Sequence, residues 1–142
     1  MRTLAIVALA GAIAVLVAFA GTSFASGASS NFKANLSAAQ AKQVVVNPAA
    51  DGKFTATLTG KTLRWKLNFA HLTGPATAAQ IHSAAKAGAL VSLCAPCTNG
   101  QTGTATLSPS VLREFSARDL LYVDVHTAMN PTREIRGQLG QA

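Results

Sequence analysis

Most of this chain consists of short segments in which apolar and polar residues alternate. The most regular one runs from Leu63 to Phe69, where an apolar residue stands at every second position. This period places successive side chains on opposite faces of a strand. Short strands at close spacing, separated by glycine, proline and asparagine, are typical of antiparallel sandwiches and barrels. The sequence therefore predicts an all-β fold of about seven strands.

One segment departs from this alternation. Ser108 and Pro109 form a typical N-cap and first turn, and residues 110–118 then place Val111, Leu112 and Phe115 at helical spacing. We predict a single short helix here, before the last two strands. Residues 38–47 leave two interpretations open, because the alanines favour a short helix or turn and the valines favour an extended segment.

The C-terminal end reads as a β-hairpin. Residues 121–127 and 134–139 both alternate, and Asn130-Pro131 between them favours a turn. The aliphatic residues of both segments are predicted to point into the core. The residues predicted to point away from it are Asp124, His126, Glu134 and Arg136.

This hairpin resembles the close of the CHRD domain, in which Tyr-Val-Asn-Val-His-Thr is followed by Asn-Pro and then Glu-Ile-Arg-Gly-Gln. Upstream, residues 63–69 and 77–82 occupy the places of the family's aromatic-bearing strand and its Thr-Ala-Ala-His-Ile-His element, in that order. The resemblance covers residues 32–140. It implies an immunoglobulin-like antiparallel β-sandwich or barrel with no catalytic activity.

The N-terminus has the features of a secretory signal peptide. Arg2 is followed by an apolar run over residues 4–20, and Ser23-Phe24-Ala25 offers the small residues that a signal peptidase reads. We predict a signal peptide over residues 1–25 and a product that is secreted or held in the cell envelope or periplasm. The alternative is an uncleaved anchor, which would be the chain's only contact with a membrane.

Removal of 25 of the 142 residues leaves 117, the usual size of one domain. We predict a disordered lead-in over residues 26–31 and a single domain over residues 32–142. Without Arg2 the chain carries 11 basic and 5 acidic residues, a net charge of +6. The basic residues occur singly, and only Arg64 and Lys66 are predicted to share a strand face. This pattern favours solvated surface over an anion-binding patch, and predicts no specific binding of nucleic acid.

Cys94 and Cys97 admit three interpretations. An even number of cysteines in an exported protein favours a disulfide. A redox pair like that of thioredoxin needs a helix N-terminus, whereas turn-forming residues follow Cys97. The third interpretation is half of a zinc or copper site shared with His82 and His126.

The histidines mark the candidate binding site. His82 shares a strand face with Gln80, and His126 shares one with Asp124. One interpretation is a structural pair whose ring nitrogens bind backbone carbonyls or Asp124. The other is a polar patch of these four residues that binds zinc, copper or a polar ligand. Gln80 stands where the resembled family has its first histidine, and an amide is a poor ligand for a transition metal.

The motifs of several enzyme classes are absent from the sequence, including the nucleophile elbow, the metalloprotease helix, the phosphate loop and the dinucleotide fingerprint. We therefore predict a non-catalytic exported module without a cofactor, which binds an extracellular protein or a surface polymer. The alternative is a metal-binding or redox protein that uses His82, His126 and the two cysteines.

Overall fold

The computed structural model describes residues 27–42, 47–117 and 120–142. The signal peptide predicted over residues 1–25 and the valines at 44–46 lie outside the described residues. No helix within the described ranges is long and apolar enough to span a membrane.

The described residues form eight strands and two short helices. The strands are β1 (Ser29–Ser37), β2 (Asp51–Thr59), β3 (Thr62–Ala70), β4 (Ala76–Ser83), β5 (Ala89–Cys94), β6 (Gln101–Thr106), β7 (Leu121–Thr127) and β8 (Ile135–Gln141). The helices are α1 (Ala38–Ala41) and α2 (Pro109–Ser116).

All eight strands belong to one antiparallel sheet with the order β5-β4-β7-β8-β1-β2-β3-β6. The edge strands β5 and β6 approach each other, so the sheet is nearly closed as a barrel. The predicted all-β antiparallel fold is confirmed. The sheet has eight strands where about seven were predicted.

The core follows the alternation seen in the sequence. In β3, Leu63, Trp65 and Leu67 are buried, while the residues between them are exposed. Helix α2 covers part of this core, and the Phe115 ring meets Phe32 edge-on with centroids 5.3 Å apart. The predicted cap of this helix is present, since the Ser108 side chain accepts a hydrogen bond from the Val111 backbone N–H.

Strand β1 starts earlier than the sequence predicts, and a helix follows its C-terminal end. The strand begins at Ser29, inside the predicted lead-in, because the ladder with β2 continues to the pair Ser29 and Thr59. At its other end the chain turns directly into α1, whose first turn is capped by the Ser37 side chain. The segment that the sequence left open therefore starts as a helix.

The Glu134 carboxylate is fully buried, so its predicted orientation away from the core is wrong. It accepts hydrogen bonds from the Thr73 backbone N–H at 2.6 Å, the Thr73 hydroxyl at 2.8 Å and the Thr127 hydroxyl at 2.7 Å. Glu134 precedes β8, so the period of that strand does not set the direction of its side chain. These bonds join the β3–β4 loop to the closing hairpin.

Two glycines lie where another residue would collide with neighbouring atoms. A Cβ atom at Gly103 of β6 would lie 2.4 Å from the Trp65 ring. A Cβ atom at Gly137 of β8 would lie 2.3 Å from the Asn35 carbonyl oxygen of β1. Trp65 and the β1 backbone therefore occupy the space that side chains at these positions would need.

Replacing Gly103 with alanine should lower the free energy of unfolding by about 1–3 kcal/mol, because the added methyl group displaces the Trp65 ring. Denaturant unfolding followed by tryptophan fluorescence measures this change. Gly140→Ala is the matched control, since a Cβ atom there meets no atom within 4 Å. Equal effects of the two substitutions would contradict the packing described for Trp65.

Replacing Glu134 with alanine should destabilise the fold by about 1–3 kcal/mol, because it leaves the buried Thr127 hydroxyl without its acceptor and removes both hydrogen bonds to Thr73. Thermal and denaturant unfolding give the measurement. Gln138→Ala, at an exposed position of β8, should stay within about 0.5 kcal/mol of the unsubstituted protein. A Glu134→Ala protein as stable as this control would argue against the anchoring role.

Candidate functional site

A polar cluster lies where β4, β7 and β8 run side by side. The ladders between these strands place Asp124 of β7 between Gln80 of β4 and Arg136 of β8. His82 and His126 are on the same strands and two positions from this row, so the period of two directs them to the same face. The face predicted to carry Gln80 and His82 and the face predicted to carry Asp124 and His126 thus lie side by side on neighbouring strands.

Three of the four residues predicted for the polar patch converge. One ligand atom each from His82, Asp124 and His126 lies within 4.8 Å of the other two. The Nε2 atom of His82 is 3.6 Å from the Oδ2 atom of Asp124, and the two imidazole centroids are 6.4 Å apart. The structure therefore gathers two imidazoles and one carboxylate around a common point.

Backbone carbonyls orient both imidazoles. The Nδ1 atom of His82 lies 3.1 Å from the Gly88 carbonyl oxygen, and that of His126 lies 2.8 Å from the Pro131 carbonyl oxygen. A carbonyl oxygen only accepts hydrogen bonds, so each Nδ1 carries the hydrogen and the neutral ring keeps its lone pair on Nε2. Both lone pairs are thus available to the cluster.

Asp124 is 2% exposed, which is unusual for a carboxylate. Burial raises the pKa of Asp124 above its ordinary value of 3.8, and the positive charge of Arg136 is the largest opposing influence. The Arg136 Nε atom lies 3.3 Å from the Oδ1 atom, and its guanidinium carbon lies 3.8 Å from the centre of the Tyr122 ring. Arg136 thus holds one carboxylate oxygen while the other faces His82.

Hydrogen bonding is incomplete in this cluster. In the described ranges, every buried side-chain nitrogen or oxygen atom without a hydrogen-bond partner belongs to it. These atoms are His82 Nε2, His126 Nε2, Asp124 Oδ1 and Arg136 Nε. Such atoms are costly because buried polar groups are otherwise paired. The Nε2 lone pairs of His82 and His126 are also groups that a cation would satisfy.

The donor set fits a transition-metal ion. Imidazole nitrogen and carboxylate oxygen are both ligands of zinc and copper. Tetrahedral zinc with bonds near 2.0–2.1 Å separates its ligand atoms by about 3.3 Å. The distance of 3.6 Å between His82 Nε2 and Asp124 Oδ2 is close to this value. Shifts of the imidazole rings on the order of 1 Å would bring the ligand atoms of all three residues within about 3.6 Å of one another. Three protein ligands would leave the fourth position of a tetrahedral ion open.

The other residues considered from the sequence do not join the cluster. Gln80 faces Asp124 across the ladder, but its side chain makes no hydrogen bond within the described part of the chain. The sulfur atoms of Cys94 and Cys97 lie 2.06 Å apart, at disulfide-bonding distance. A bonded pair offers no thiolate, so the interpretation in which cysteines and histidines share a metal is not supported. His71 lies elsewhere and faces Asp51 at 3.3 Å.

Arg136 was missed as a member of this site. The alternation of the hairpin predicts a place for Arg136 on the polar face, but it predicts no role beside Asp124. The register of the hairpin is the signal that identifies it, because Asp124 and Arg136 are direct cross-strand partners.

Comparison with protein-family models matches residues 32–139 to the CHRD domain. Comparisons with curated proteins and with solved structures returned no match. The family match spans most of the chain and includes β4, β7 and most of β8, the strands that carry the cluster. It agrees with the resemblance seen in the closing hairpin, and this chain therefore belongs to the CHRD domain family.

Proposed function

We propose that this CHRD domain binds one transition-metal ion, zinc or copper, between His82, Asp124 and His126. The observation that supports this proposal best is the orientation of the two imidazoles. Each Nδ1 faces a backbone carbonyl, and each Nε2 is buried without a hydrogen-bond partner beside Asp124. Histidines that bind metals usually donate their second ring N–H to a carbonyl or carboxylate in this way.

Arg136 has a positioning role in this proposal. Its guanidinium lies beside Oδ1 of Asp124 and leaves Oδ2 on the side of His82. Stacking on Tyr122 keeps the guanidinium in place, so the carboxylate retains its orientation before an ion arrives.

The setting proposed for this activity is extracellular. CHRD domains occur in extracellular proteins and are generally non-catalytic. We propose that residues 1–25 direct export and that the domain acts by binding and not by turnover. The extracellular protein or surface polymer predicted from the sequence as a partner remains a prediction.

Metal binding is tested by equilibrium dialysis of the untagged protein with zinc and with copper ions. We expect one ion per chain, removable by a chelator. The double substitution His82→Ala and His126→Ala should weaken binding by at least about 100-fold, because it removes two of the three ligands. His71→Ala is the matched control and should bind like the unsubstituted protein, since His71 lies outside the cluster.

Equal binding by the double variant and by the His71→Ala control would overturn the proposal. Absence of stoichiometric binding by the unsubstituted protein would do the same. In either case His82 and His126 would be interpreted as a structural pair that binds backbone carbonyls.

Asp124 should make the metal-free protein less stable at neutral pH. Because burial raises its folded pKa above 3.8, its favourable contribution to stability is present below that value and is lost as pH rises through the folded pKa. Asparagine cannot ionise, and its side-chain oxygen can still accept a bond from Arg136. With chelator present, Asp124→Asn should therefore unfold at a higher temperature than the unsubstituted protein near neutral pH, and this difference should shrink towards acid pH.

Thermal unfolding across this pH range, with and without zinc, measures the effect. Zinc should raise the unfolding temperature of the unsubstituted protein and change that of Asp124→Asn much less. An Asp124→Asn protein that is less stable than the original in chelator at neutral pH would contradict the cost assigned to the buried carboxylate.

A further inference from the structure

A second surface, separate from the metal cluster, lies on the outer face of β1, β2, β3 and β6. It is a broad groove of about 760 Å³. Four basic side chains line it, and all four are exposed: Lys33, Lys53, Arg64 and Lys66. The remaining polar residues around it are threonines and an asparagine, and Ala142 lies at its rim. This set is called the basic groove below.

Strand register brings these cations together although they are scattered in the sequence. Lys33 of β1 pairs with Thr55 of β2, and Thr55 pairs with Lys66 of β3. The two lysines therefore lie in one row, separated by two strand spacings of about 4.8 Å each. Arg64 lies two positions from Lys66 on the same face of β3, so the positive charges form a continuous patch.

No aspartate or glutamate side chain lines the basic groove. Three of the four described acidic side chains lie elsewhere: Glu114 pairs with Lys86, and Asp124 and Glu134 are buried. Asp51 shares a face of β2 with Lys53 but faces His71. None of the four groove cations forms a salt bridge with a described residue. The positive charges of Lys33, Arg64 and Lys66 are therefore not cancelled by a neighbouring acidic side chain among the described residues, which favours an anionic partner.

The other groups in the groove limit which class of anionic partner can bind there. Phe32 and Trp65 contribute to its floor but are only 6% and 5% exposed, so neither offers a ring face for stacking bases. The exposed large apolar residues of the described chain are Leu120 and Met129, both outside the groove, so nothing there would insert into a lipid bilayer. Threonine hydroxyls and lysine ammonium groups instead match a polymer that carries hydroxyls and carboxylates.

We propose that the basic groove binds an acidic polysaccharide. The cations form charge-assisted hydrogen bonds with carboxylates of successive sugar units, and the threonines and Asn31 bind the sugar hydroxyls. The contact is a shallow one with exposed charges, so its affinity depends steeply on salt. It needs no metal ion and no residue of the His82, Asp124 and His126 cluster.

Polygalacturonate is the probe for this proposal, and binding is measured by isothermal titration calorimetry at low salt. The test variant carries Lys33→Gln, Arg64→Gln and Lys66→Gln. The matched control carries Lys42→Gln, Lys61→Gln and Arg113→Gln, which removes the same number of lysine and arginine charges outside the groove. Thermal unfolding checks that both variants fold.

The unsubstituted protein should bind polygalacturonate and should lose about tenfold in affinity between about 50 and about 200 mM salt. The groove variant should bind about tenfold more weakly than the control variant, because it loses three of the four contacts to the polyanion. Neutral dextran should not bind. Equal binding by the two variants, no binding at low salt, or salt-independent binding would each overturn the proposal.

Two further probes separate polysaccharide from other anionic partners. Single-stranded DNA and vesicles with about 30% anionic lipid should bind more weakly than polygalacturonate, since the groove lacks groups that stack on bases or insert into a bilayer. Tighter binding of either probe would overturn the assignment to polysaccharide. If the groove variant does not fold, absent or salt-independent binding by the unsubstituted protein would still overturn the proposal.

The His82→Ala and His126→Ala double variant distinguishes this inference from the proposed metal binding. It should bind polygalacturonate with unchanged affinity in the presence of chelator. Loss of polysaccharide binding by this variant, if it is folded, would contradict the independence of the two surfaces.

Discussion

The central position of β7 in the sheet is the constraint on which the rest of the structure depends. This strand lies between β4 and β8, and it is covered on both faces. Val123 and Val125 are completely buried in the core, while Asp124 on the opposite face is also nearly inaccessible. A carboxylate in that place needs positive or hydrogen-bonding neighbours, and the flanking strands supply Arg136 and His82. The cluster is therefore a consequence of placing an acid on a central strand.

The closing hairpin has separate structural and functional parts. Glu134 is buried and fully hydrogen-bonded to threonines, so it stabilises the turn region and the β3–β4 loop. Asp124 is equally buried but incompletely hydrogen-bonded, and burial raises its pKa. Glu134 and Asp124 thus belong to the same hairpin, but only the Glu134 carboxylate has a full set of hydrogen-bond partners. A buried polar group that lacks hydrogen-bond partners and destabilises the fold is a better indicator of function than a fully hydrogen-bonded one. The stability of the fold does not explain why such a group is present.

Sequence patterns predicted much of the fold and part of the site. Alternation identified the strands and the inward residues of β3, and Ser108 with Pro109 identified α2, because these signals act over a few residues. The even number of cysteines favoured a disulfide, and Cys94 and Cys97 lie at disulfide-bonding distance. The same local logic failed at Glu134, whose partner Thr73 is 61 residues away. It also could not foresee that Gly88 and Pro131 orient the two imidazoles, since those carbonyls belong to loops.

The sequence by itself determined which residues share a strand face, because the period of a strand is a local property of the backbone. It placed His126 with Asp124 and His82 with Gln80, but it contained no register between β4 and β7. Only the tertiary structure decided that His82 would approach Asp124 while Gln80 would not join the cluster. The basic groove has the same origin, since strand pairing placed Lys33 and Lys53 beside Arg64 and Lys66. The register between strands is set by the packing of the whole core. It brings residues that are far apart in the sequence together on one surface.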